Sequence, residues 1–232
     1  MTLIGESLRG KRVLVTQSGE FMGPALVAAF AEYGAEVVAD ARPLAAPGTA
    51  EAAVAAACPD GRQLDVLVAN LAISAPSTPA ASVTDEEWRE VFAHLVDPLP
   101  RLVRAVLPEM LARGSGKIVV MGSASALRGM RRASTYSAAR GAQIAYVRAV
   151  GAEVAAQGVQ INLIAQNFVD NATYFPPEVQ ANPAFQERLK REVPLGRLVS
   201  GDEDALFAAY LASDAASCFV GQVFPVCGGW VA

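Results

Sequence analysis

KRVLVTQSGEFMGPALVAAFAEYGAEVVAD, residues 11–40, decides the fold. It opens on a β-rich run, KRVLVT, and breaks at a Gly-containing turn. An apolar-periodic helix, PALVAAFAEYG, follows, and a second β-rich run, AEVVAD (35–40), ends it. Strand, helix, strand in that order is a right-handed βαβ unit with parallel strands. The pattern continues outward: LDVLVAN (64–70), GKIVVMGS (116–123), VQINLIAQN (159–167) and VGQVFPV (220–226) read as further strands. EEWREVFAHLV and LPRLVRAVLPEMLARG predict a long helix bent near Pro98 and Pro100. TYSAARGAQIAYVRAVGAEVAAQG predicts another long helix, stopped at Gly158. The alternation implies an α/β fold: one domain, 1–232, on a doubly wound parallel sheet. One connection is thin. Between Asp40 and Leu64 there is room for one helix, about 49–57, and a missing or vestigial strand.

Composition narrows the function. The 232 residues are 53% hydrophobic and 18% charged, enough to fill a core and too apolar for disorder. A net charge of −4 gives no reason to expect a nucleic-acid partner. No apolar run is long enough to span a membrane, and the N-terminus does not read as a signal peptide. Cys58, Cys218 and Cys227 are widely spaced and form no CxxC, so they read as small buried thiols of a reduced, cytoplasmic protein. With His94 the single histidine, a His/Cys metal site is implausible. A Ser-His-Asp triad would need His94, which reads as a packing residue inside a helix.

A nucleotide-binding first turn needs glycines, one of them where backbone must approach the pyrophosphate. Here the turn is TQSGEFMGPA: Gly19 and Gly23 are present, but Phe21 stands where that approach occurs. Asp40, ending the second strand, sits where a ribose-binding carboxylate would sit, although Asp is also ordinary turn chemistry. Steric exclusion by Phe21 outweighs the hydrogen bond that Asp40 offers. Farther on, Ser123 ends a strand, and Tyr136 and Arg140 share one helix face. A fixed guanidinium charge near a phenol favours the phenolate, and a Ser can hold the oxygen whose proton the Tyr handles. Read from spacing alone, Tyr136 and Arg140 fit a helix-surface pair better than a catalytic one.

Nearly the whole chain resembles the short-chain dehydrogenase/reductase superfamily. The matching pieces are VLVT (13–16), DVLVAN (65–70), RAVLPEM (104–110), Ser123 with Tyr136, PLGRL (194–198) and LASDAASCFVGQVFPVCGG (211–229). The departures point one way. Phe21 replaces a turn glycine, Leu95 the helix Asn, Arg140 the catalytic Lys, Gln166-Asn167 a Pro-Gly, and Cys227 the Asp of the terminal Val-Asp-Gly-Gly. This combination resembles the halohydrin dehalogenases, which share that fold without a nicotinamide. Thr16…Phe21-Met22-Gly23 and Ser123…Tyr136…Arg140 match that family's two motifs without a gap, and NFVDNATYFPPEVQANPAF (167–185) resembles its halide-side loop.

The resemblance implies a Rossmann-like domain without a functional dinucleotide site, no cofactor and no metal. It implies conversion of vicinal haloalcohols to epoxide and halide, and ring opening by anions such as azide, cyanide or nitrite. Ser123, Tyr136 and Arg140 would be catalytic. Phe21, Gln166, Asn167, Phe168 and Val169 would line the halide pocket, with the N–H groups of Phe168 and Val169 as donors. Ser125, Tyr174 and Phe175 would wall the substrate pocket. Arg128, Arg131 and Arg132 would either draw anions inward or form a solvated loop. A homotetramer would pack through helices at roughly 86–113 and 136–156. Two other readings stay open: a nicotinamide-dependent reductase with an unusual turn, and an idle binding protein on the same fold.

Overall fold

The computed structural model describes residues 4–231. A short helix α1 (Ile4–Leu8) precedes β1 (Arg12–Thr16), α2 (Gly23–Glu32) and β2 (Glu36–Asp40). Then come α3 (Thr49–Ala57), β3 (Val66–Asn70), α4 (Asp85–Leu95), α5 (Pro98–Arg113) and β4 (Gly116–Ser123). The chain continues through α6 (Ser134–Val154), β5 (Val159–Gln166), α7 (Pro177–Gln180), α8 (Pro183–Glu192), α9 (Gly201–Ala212) and β6 (Val223–Val226). The six strands form one parallel sheet in the order β2-β1-β3-β4-β5-β6. The short connection behaves as its length requires: α3 occupies it, among the described residues no further strand pairs with β2, and β2 is a half-exposed edge.

Two apolar layers sandwich the sheet. One joins α3–α6 to inward residues such as Leu14, Leu67, Val120 and Leu163; the other joins α1, α2 and α9 to Val13, Val68, Met121 and Ile164. Burial on both faces is what makes these strands continuous apolar runs. The first residue of α2 packs against the backbone of the turn after β1 because residue 23 is Gly: a Cβ there would stand 2.4 Å from the Ser18 carbonyl oxygen. The α6 helix ends through a short 3₁₀ turn at Gly158, whose φ of +77° is the left-handed cap that glycine adopts without strain.

The expected bend near Pro98 is a full break between α4 and α5, with Pro98 as the first residue of α5, where its missing N–H costs nothing. His94 is half-buried and its Nδ1 contacts the Glu90 carbonyl at 2.9 Å, inside its own helix. Cys227 is buried and Cys58 half-buried, but Cys218 is exposed, which corrects the expectation of three buried thiols. Among the described residues no cluster of His, Cys, Asp or Glu is arranged to hold a metal. No helix among them is long and apolar enough to cross a membrane.

Candidate active site

The strand order reverses between β1 and β3, so a crevice opens above the C-terminal ends of the strands. Register then places the side chains. Ser123 and Gln166, the last residues of β4 and β5, are direct neighbours. The turn after β1 brings Phe21, braced by Asn70 at the end of β3, whose Nδ2 donates to the Gln17 and Glu20 carbonyls at 3.0 Å each. The first turn of α6 supplies Tyr136, and the segment after β5 supplies Asn167 to Phe175. Together they enclose a cavity of about 190 Å³, lined by Phe21, Ser123, Tyr136, Gln166–Val169, Tyr174 and Phe175.

Arg140 does not line this cavity. It is fully buried (0% exposed) behind Tyr136, its guanidinium carbon 5.0 Å from the phenol ring centroid. Three neutral acceptors hold it at 3.0 Å: the carbonyls of Met121 and Leu71 and the Gln143 side chain. No carboxylate pairs with it among the described residues, and its Nε has no partner. Burying a guanidinium without a counter-charge is costly, and the charge it leaves is felt strongly in the low-dielectric interior. The Tyr136 phenol beside it can become its counter-charge.

Burial opposes ionisation of Tyr136 but is outweighed by the Arg140 charge and by the polar groups of Tyr174, Arg140 and Ser123 around the phenol, so its pKa lies below the ordinary phenol value. Its place in the first turn of α6 adds the favourable end of a helix dipole. Tyr174 is its opposite. Burial, and then the negative charge on Tyr136, push its pKa well above the usual range, so it stays a neutral donor. Its hydroxyl donates to the Ile73 carbonyl at 2.5 Å, and its ring meets Phe21 edge-on at 5.5 Å. Tyr174 thus lines the cavity as expected, with its hydroxyl beside the Tyr136 phenol and its proton given to Ile73.

Two further placements differ from expectation. Ser125 does not wall the cavity. It is buried behind Ser123, receives the Ser123 hydroxyl at 3.0 Å and gives its own N–H to the same oxygen at 3.2 Å. The Phe168 N–H is not free either, because the Asn167 Oδ1 accepts it at 3.0 Å. That bond orients the Asn167 amide and leaves its buried Nδ2 without a partner beside the cavity. Asn167 Nδ2 and the Val169 N–H are therefore the candidate donors. Arg188, stacked 5.5 Å over Phe168, also lines the cavity and carries no sequence signal of its own. In the loop before α6, Arg128 is stacked 4.8 Å over Trp230 and bonded to its carbonyl, and Arg132 is bonded to Ser77. Those two are clasps.

The first turn does not fit a dinucleotide. Phe21 sits at φ +53°, a left-handed conformation that costs a non-glycine residue about 1 kcal/mol or more. Its ring lies in the cavity, and its N–H is given to the Thr173 Oγ1 at 3.1 Å. Both the ring and the amide that a pyrophosphate would meet are thus engaged. The Asp40 carboxylate is held by the Arg42 N–H and Nε at 3.0 Å each.

Residues 8–231 match the enoyl-(acyl carrier protein) reductase family. The chain belongs to the short-chain dehydrogenase/reductase superfamily. Within the superfamily it is 33% identical to the cis-4-hydroxycyclohexanecarboxylate dehydrogenase of Sinomonas cyclohexanicum, over 99% of this chain and 100% of that one. It is 27% identical to a 3-oxoacyl-(acyl-carrier-protein) reductase of Vibrio cholerae, over 96% and 98% of the two chains. Among solved structures it resembles one described as a dehalogenation enzyme, with a TM-score of 0.91 at 29% identity over 97% and 100% of the chains. It also resembles a gluconate 5-dehydrogenase from Burkholderia cenocepacia in complex with NADP and tartrate, with a TM-score of 0.87 at 26% identity over 96% of each chain. Superfamily membership leaves dehydrogenase and dehalogenase chemistry both within reach; the site residues must separate them.

Proposed function

We propose that this superfamily member is a cofactor-independent halohydrin dehalogenase. One observation carries the reading: Phe21, with its ring and amide both engaged, closes the space beside Ser123 and Tyr136 into a small aromatic and amide-lined cavity. Its volume of about 190 Å³ equals roughly six waters, the size of a short haloalcohol. The neighbour described as a dehalogenation enzyme supports the same reading. The dehydrogenase relatives favour a nicotinamide enzyme instead, and Phe21 and the sealed Arg140 oppose that.

In the proposed reaction the substrate hydroxyl sits between Ser123 and Tyr136. The Tyr136 phenolate takes its proton, the oxygen's electron pair closes on the neighbouring carbon, and the carbon–halogen bond breaks with its pair leaving on the halide. The products are an epoxide, a halide and a proton on Tyr136 that returns to water. The halide is received by Asn167 Nδ2 and the Val169 N–H among aromatic edges, with the Arg188 guanidinium stacked on Phe168 as the positive charge in the cavity wall. Run backwards, the Tyr136 phenol protonates an epoxide while azide or cyanide opens it. The tetramer expected through α4–α6 belongs to this proposal. Trp88, 44% exposed and stacked on Phe92, is the large apolar side chain on the otherwise charged outer face of α4.

The test pairs two assays. Azide should open a small terminal epoxide with no nicotinamide present, and NADH or NADPH should leave the intrinsic fluorescence unchanged. Tight NADPH binding without ring opening would overturn the proposal in favour of a reductase. Arg140→Met should move the acidic limb of the kcat/KM profile to higher pH, because the phenolate loses its cation, and lower the rate near neutrality by about tenfold or more. Tyr174→Phe removes a hydroxyl whose proton can turn from Ile73 to the phenolate, and should shift the limb the same way, with a loss of roughly two- to tenfold. Full pH profiles on both variants check the sign, with thermal melts run beside them.

A further inference from the structure

Asp204, in the first turn of α9, is completely buried (0% exposed). Its Oδ2 accepts a hydrogen bond from Gln166 Nε2, and its Oδ1 has no partner. Gln166 Oε1 is also buried and unpartnered. Gln166 lines the cavity beside Ser123, so the carboxyl stands directly behind the cavity wall. The elements packed on α9 offer Glu32 on α2, Glu6 on α1, Lys117 on β4 and Asp214 in the turn after α9, and α9 itself carries Asp202 and Glu203. None of these enters the balance at Asp204. Burial raises its pKa to about 7, opposed only by the Gln166 hydrogen bond. Glu203 is occupied by Arg197 at the surface. Across the cavity stand Tyr136, Tyr174 and Arg188, with Arg140 behind.

We infer that Asp204 is a positioning residue for the anion: acting through Gln166, it lets the cavity hold a halide or similar monoanion while its carboxyl is protonated and expels the anion once the carboxyl ionises. The inference rests on the halide-binding reading above. Two effects act together. An ionised carboxylate draws the Gln166 Nε2 onto itself and sets a like charge behind the anion. A protonated carboxyl donates its O–H to Gln166 Oε1 once the amide turns over. That pairs the orphaned Oε1 and frees Nε2 to face the cavity as an added donor.

The probe is bromide, titrated against intrinsic fluorescence, since Trp230 is in edge contact with Phe168 of the cavity at 6.2 Å. Titrations at about pH 5.5 and about pH 8.5 bracket the Asp204 value of about 7. Wild type should bind bromide on the order of tenfold more weakly at the higher pH. Asp204→Asn should bind it equally at both. The infrared band of a protonated carboxyl should fade across this range in wild type, move to higher pH when bromide is present, and be missing from the variant. Asp204→Leu, with a thermal melt, repeats the test in a second background. Bromide binding that is flat with pH in wild type, or that weakens as much in Asp204→Asn because Tyr136 ionises, overturns the inference alone. No bromide binding by wild type at either pH removes the anion cavity, and the dehalogenase proposal with it.

Discussion

Tyr136→Phe should lose on the order of a thousandfold in kcat for halide release, with its melting temperature close to wild type. The substitution removes one oxygen from a buried ring and leaves the ring's packing and its contact with Arg140 in place. The lost atom is where the surrounding field converges: the Arg140 charge with no carboxylate to satisfy it, the Tyr174 donor and the Ser123 hydroxyl all favour its ionised form. Substrate binding depends on the cavity walls more than on this oxygen, so KM should move far less than kcat. Steady-state kinetics with a short bromoalcohol check it. Retention of more than a tenth of the wild-type kcat would mean that another group takes the proton.

The second large effect is on stability. Asp204 has a folded pKa of about 7 against an ordinary value of 3.8. Between those two values the unfolded chain has released its proton and the folded chain has kept it. Stability therefore falls as pH rises through that window, by about 1.4 kcal/mol per unit, or about 4 kcal/mol in all, and is flat above it. Asp204→Asn removes the charge at nearly constant shape. The variant should match wild type near pH 4 and exceed it by a few kcal/mol near pH 8. Comparing variant with wild type at each pH cancels the other carboxylates, including Glu203, which its Arg197 partner holds at about 2. Urea midpoints at the two pH values check the prediction. An equal difference at both would mean that Asp204 is ionised throughout.

Much of this architecture is legible in the chain. GKIVVMGS is β4 without a residue to spare, and the twenty-odd residues after Asp40 held one helix and no strand, as chain length requires. Phe21 announces itself because a side chain stands where backbone must approach a phosphate. The misses have physical reasons. The α9 helix has a capping box, Ser200 to Glu203, but its apolar residues run nearly around it, so periodicity marks it weakly. Asp202, Glu203 and Asp204 read together as ordinary acidic residues of a first helical turn. The available clue was spacing: Asp204 opens the buried stripe that continues through Ala208 and Ala212. The Phe168 amide is lost as a donor through a bond to the side chain of its own neighbour, which no pattern of residue types signals. Arg140 was readable as a charge beside Tyr136; its burial without a carboxylate is a property of the fold alone.

The most direct test is bromide and epoxide formation from a short vicinal bromoalcohol by purified protein with no nicotinamide added. Equal amounts of bromide and epoxide, formed by wild type and undetectable with Tyr136→Phe, are the predicted result. No bromide from wild type, together with oxidation of an alcohol once NAD or NADP is supplied, would contradict the account and return this chain to the dehydrogenases it resembles.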